Sequence, residues 1–104
     1  MIGPGEWVIE SEAPEIGRLE LTLMEGGGVV GTHHAVDLTG SVEGRWTLDA
    51  RSARLALHLE TAFGLRPSEL NLDLALEPGG GPVVEAEDAG PGGRRYRLGP
   101  AHLP

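Results

Sequence analysis

Four leucines stand at every second position in one short segment. Leu70, Leu72, Leu74 and Leu76 alternate with Asn71, Asp73 and Ala75. A helix would scatter these leucines around its axis, whereas an extended strand puts all four on one face. Leu19, Leu21 and Leu23 repeat the pattern with Glu20 and Thr22 between them, and Leu55, Leu57 and Leu59 repeat it with Ala56 and His58. Each run reads as a strand with one buried and one wet face.

Turn signals separate the runs at intervals of roughly ten residues, the rhythm of an all-β sandwich or barrel. Gly and Pro are abundant, at 17 and 8 residues, and they cluster between the apolar runs. Eight strands are expected near 5–11, 18–25, 29–38, 42–49, 53–62, 69–77, 83–88 and 94–99. Short connections make each neighbour in sequence an antiparallel partner. The expected fold class is all-β: an up-and-down meander in a small closed or nearly closed barrel, one domain spanning 1–104. Closure removes sheet edges. An eight-stranded interior is filled by side chains or holds one small ligand.

The alternative is an α+β fold with a helix near 53–63 or 68–77. Leucine outnumbers valine and isoleucine together, and leucine is a good helix former. RPSELNLDLALEPGGG carries a serine start and a Pro-Gly end, as helices do. Leu55, Leu59 and Phe63 would also line one helix face.

A weak repeat runs through the chain. GEWVIE at 5–10 is echoed by GRWTLD at 44–49 and, more faintly, by GRRYRL at 93–98. Trp7 and Ile9, Trp46 and Leu48, and Tyr96 and Leu98 should each share a strand face. The repeat is what any glycine-initiated strand with an inward aromatic would show, or it marks two duplicated hairpins. In strand rhythm and in glycine and aromatic placement the chain resembles avidin-type and other small ligand-binding barrels. The resemblance implies a barrel, and no ligand-binding residue carries over.

Composition removes several chemistries. There is no cysteine, hence no disulfide, thiolate metal site or thiol nucleophile. There is no lysine, hence no phosphate-loop lysine and no Schiff base. The net charge of −8 repels phosphate backbones and anionic lipids, so neither nucleic acid nor membrane is an expected partner. Arg95 and Arg97 are expected to pair with acids on a neighbouring strand. The N-terminus lacks a basic start and an apolar core segment, which makes a cytoplasmic location the simplest expectation.

GVVGTHHAVDLTG, from Gly28 to Gly40, holds two adjacent histidines. Adjacent strand residues point to opposite faces, so His33 and His34 cannot chelate one ion together without a bulge. Val30, Thr32, His34, Val36 and Leu38 form the more apolar face, which predicts that His34 points inward and His33 faces solvent. The acids fall mostly at alternating outward positions. EAEDAG at 85–90 is their densest run, and it lacks the ligand spacing of a calcium loop. No metal ligand, cofactor or catalytic residue is assigned.

Three functions remain. The first is a small non-catalytic binding module for an apolar or amphipathic ligand, in or at the mouth of the barrel, with Trp7, His34, Trp46 and Tyr96 as ligand-binding residues. The second is a protein-interaction or assembly subunit, with a protein partner or a homo-oligomer on a sheet edge or apolar face. The third is a small barrel enzyme with His34 or His58 as general base.

Overall fold

The computed structural model describes residues 3–12, 17–63, 66–76, 84–88 and 94–100. Eight strands follow one another in the chain: β1 (Gly5–Ser11), β2 (Arg18–Leu23), β3 (Gly28–Ala35), β4 (Leu38–Asp49), β5 (Arg54–Phe63), β6 (Arg66–Leu76), β7 (Val84–Asp88) and β8 (Arg95–Pro100). Each pairs antiparallel with the next, and β8 returns to β1, closing the barrel. Both segments that could have been helical are strands, β5 and β6. Their leucines explain why: Leu55–Leu74, Leu57–Leu72 and Leu59–Leu70 are cross-strand partners facing inward. Only the extended form puts all of them in one core.

The strands are steeply staggered. A row of paired residues that starts at Trp7, early in β1, runs through Leu21, Gly31, Val42 and Thr61 to Ser68. Trp7 lies near the end of the barrel where β1 begins, and Thr61 near the opposite end. Tilt of this kind is the geometric condition for closing a sheet on itself.

Closure also demands sharp local curvature, and glycine supplies it. A Cβ on Gly31 would run into the Glu20 carbonyl, and one on Gly44 into the His58 carbonyl. Both glycines lie at inward positions, opposite bulky residues: Gly31 faces Leu21, and Gly44 faces Leu59. The backbone of the neighbouring strand takes up the place of the missing Cβ, a close approach that only glycine allows. Gly40 is a further inward glycine of β4. The sequence marks it as a turn, yet it is buried within β4 opposite His33. The β3–β4 turn falls instead at Val36 and Asp37, with Asp37 in the left-handed region at φ 60°.

The inward side chains form one continuous hydrophobic cluster. Leu19, Leu55, Leu57, Leu74, Leu98 and Tyr96 lose essentially all their exposure. Each buried leucine contributes roughly 1.5–3 kcal/mol. Acids occupy the outside: Glu43, Glu60, Glu69 and Asp73 are exposed on β4 to β6. The Arg95 pairing holds, since Arg95 Nε lies 3.9 Å from Glu87 Oε1 on β7, and Arg97 is in register with Glu10 on β1 and Glu85 on β7. The EAEDAG run is strand β7 through Asp88; residues 89 and 90 lie outside the described part.

The face assignment of β3 is reversed. Val29 and His33 are buried, whereas Val30, Val36 and Leu38 are exposed. The cause is register across the β2–β3 turn, where Leu19, Leu21 and Leu23 pair with His33, Gly31 and Val29. Directly opposite residues share a face, so the three leucines carry the odd positions of β3 inward with them. A strand whose two faces differ little in polarity takes its orientation from its neighbour.

Candidate functional site

An up-and-down barrel has two ends. One carries the start of β1, the β2–β3 and β4–β5 turns and the end of β8; the other carries the β3–β4 turn and the start of β8. Inward side chains differ between them. Near the first end stand Trp7, Trp46, Leu48 and Leu76, all packed on the core yet only partly buried. Near the second stand Ser11, His33, Thr61, Ser68 and Tyr96. There Thr61 Oγ1 lies 3.1 Å from Ser68 Oγ, and Thr61 and Tyr96 are each only 1% exposed. The interior is therefore lined by tryptophan and leucine at one mouth and richer in polar groups towards the other end, where Leu70 and Tyr96 also stand.

The two tryptophans are held in the same way. Trp7 Nε1 donates to the Gly3 carbonyl at 2.8 Å, and Trp46 Nε1 donates to the Met24 carbonyl at 2.8 Å. The Trp46 backbone N–H also donates, to the Gly27 carbonyl at 2.9 Å. Each indole's one polar atom is thus satisfied by the local backbone. What remains for a ligand is ring surface, already fixed in orientation.

Of the four sequence-predicted ligand residues, the structure brings Trp7 and Trp46 to the same mouth. Tyr96 lies in the core towards the opposite end, between Ser11 of β1 and Ala86 of β7. The expectation that His34 points inward is corrected: it stands on the outer wall, half-buried, with Nε2 3.1 Å from Glu20 Oε2. Arg18 Nη2 donates to the other carboxylate oxygen of Glu20 at 2.9 Å. The expected solvent exposure of His33 is corrected likewise, since its side chain is 5% exposed on the inner wall. His58 is also outside, 3.3 Å from Asn71 Oδ1, and His102 lies outside the described residues.

Leu48 and Leu76 are the mouth residues that a search for aromatics misses. They are the last inward leucines of β4 and β6, and that position at the strand terminus was the available signal. At the β4–β5 turn beside Leu48, the Asp49 carboxylate accepts the backbone N–H of Arg51 at 3.0 Å and of Ser52 at 3.4 Å. The Arg51 N–H first, then hydrogen bonds from the Ser52 side chain and N–H, hold its carboxyl below the usual aspartate range.

Among the described residues, a concavity of about 280 Å³ is lined by Glu10, Ser11, Glu12, Arg95, Tyr96 and Arg97, and two more open on the outer wall. One of about 540 Å³ is lined by Met24, Val30, Glu43, Arg45, His58 and Glu69, among others. One of about 350 Å³ includes Glu6, Val8, Glu20, Thr22 and Thr32. Among the described residues, no group of three or more His, Asp or Glu side chains is arranged to hold a metal ion, and no helix is long and apolar enough to cross a membrane.

The class that fold and site define is a small closed antiparallel β-barrel with a filled interior and an aromatic mouth. No protein-family model, curated protein or solved structure matches the chain.

Proposed function

We propose that the protein is a non-catalytic binding module that takes a small apolar or amphipathic ligand at the mouth of the barrel. One observation carries the reading: of the five large inward side chains that stay partly exposed among the described residues, four, Trp7, Trp46, Leu48 and Leu76, gather at a single end, with only Leu70 towards the other and a buried leucine core between. Leaving that much apolar surface in water forgoes stability, and a ligand laid on it recovers the loss. A filled interior makes the mouth, rather than the barrel's centre, the place where a ligand rests. The indoles are pre-oriented by their backbone bonds, so ordering them on binding costs little.

Titration with a homologous series of alkyl and aryl probes, read by tryptophan fluorescence, tests this. Saturable quenching or a blue shift is expected, with affinity rising along the series. Trp7→Phe and Trp46→Phe should each remove part of the signal. A flat response across the whole series removes the reading.

The second reading is an assembly surface. Barrel closure takes away the sheet-edge version, but Val36 and Leu38 are 61% and 55% exposed on the β3–β4 hairpin, with Val30 at 42% on the same outer wall. Concentration-dependent mass in light scattering supports this reading, and a constant monomer mass counts against a homo-oligomer.

A further inference from the structure

We propose that the mouth selects by charge, taking a cationic or neutral amphiphile in preference to a carboxylate of equal chain length. The inference rests on the mouth reading above and adds the head group that a ligand there would carry.

Among the described residues, the charges near the mouth come close to balancing. Glu6, Glu25 and Asp49 are exposed near this end, as are Arg45, Arg51 and Arg54, and Arg54 Nη1 lies 3.5 Å from Asp73 Oδ2. Discrimination therefore comes from two other sources. One is the field of the whole chain, which carries −8 on a small body with a radius of gyration of 12.9 Å. Spread over such a body, that charge favours a monovalent cation over a monovalent anion by roughly five- to tenfold at physiological salt. The other source is the indole ring, whose face attracts cations and repels anions. The Trp7 and Trp46 N–H groups, which could have received a carboxylate, already donate to Gly3 and Met24. An anionic head group thus meets a repulsive field and no indole donor, with only the exposed Arg45 and Arg51, offset by Glu6, Glu25 and Asp49, to receive it, whereas a quaternary ammonium meets an attractive field and indole surface.

The test compares decyltrimethylammonium, decanol and decanoate below their micelle concentrations, read by tryptophan fluorescence on the full chain. Ammonium is expected to bind about five- to tenfold more tightly than decanoate at 0.15 M salt. The ratio should widen to several tens at about 0.01 M and shrink at 0.5 M, where the Debye length is short. Decanol should fall between the two. Decanoate binding as tightly as the ammonium, or a ratio indifferent to salt, overturns the charge selection while leaving the mouth reading intact. Binding by none of the three defeats both.

Discussion

Gly31 and Gly44 show how much one hydrogen atom in place of a methyl group decides. At both positions a Cβ would collide with a neighbouring strand's carbonyl, and backbone, unlike a side-chain tip, cannot swing aside. Gly31→Ala is expected to lower stability by about 1–3 kcal/mol, the usual range for overpacking, and a shifted urea midpoint at unchanged slope would register it. Trp46→Phe should cost about 1 kcal/mol for its bond to the Met24 carbonyl. Asp49 brings a pH dependence. Its folded pKa is depressed, so its contribution is complete above the ordinary aspartate value of about 3.9 and fades as pH falls through the lower folded value. Asp49→Ala should therefore destabilise the protein near neutrality, and melting curves of variant and wild type should converge in acid. Glycine content was plain in the sequence. Which glycines turn the chain and which bend a strand was not, because that depends on what lies across from each.

At the scale of the element, β2 and β3 make the sharpest contrast. β2 alternates leucine with polar residues, and the sequence alone oriented it. β3 carries valine on both faces, together with histidine on both, so its own pattern could not choose. Pairing with β2 chose for it, burying Val29 and His33 and exposing Val30 and His34. Paired substitutions check the orientation. Val29→Ala should cost roughly 2 kcal/mol, for lost burial plus a cavity, whereas Val30→Ala should stay within about 0.5 kcal/mol. Equal effects would contradict the observed register. The echo between β1 and β4 also acquires a limit here. An even-numbered strand of a meander runs opposite to an odd-numbered one, so Trp7 stands near the start of β1 and Trp46 near the end of β4. Any symmetry relating them lies across the barrel axis and not along it.

For the whole molecule, closure is the controlling fact, and its weakest seam is visible. Among the described residues, β6 and β7 meet only through Leu74–Asp88, Ala75–Glu87 and Leu76–Ala86, whereas β5 and β6 pair from Arg54–Ala75 to Phe63–Arg66. Few ladder bonds and little shared core predict the lowest local opening free energy at β7. Amide exchange should accordingly be fastest in β7 among the strands and slowest in β5, and uniform protection around the barrel would contradict this. The mouth, too, is a property of the whole: residues far apart in the chain, Trp7 and Leu76, reach one end because eight strands run up and down in order.

The sequence by itself determined that this chain is a string of antiparallel strands closing on a leucine interior beneath an acidic surface. Period-two leucines and regularly spaced turns are local signals, and each strand carries its own. It also singled out the two tryptophans. Only the tertiary structure decided that β3 turns His33 inward, that Gly31 and Gly44 are inward positions where a neighbouring strand's backbone leaves no room for a Cβ, and that Trp7 and Trp46 share a mouth with Leu48 and Leu76. These are relations between strands, fixed by register and stagger. A face, a gap or a mouth exists only once a second strand has been placed beside the first.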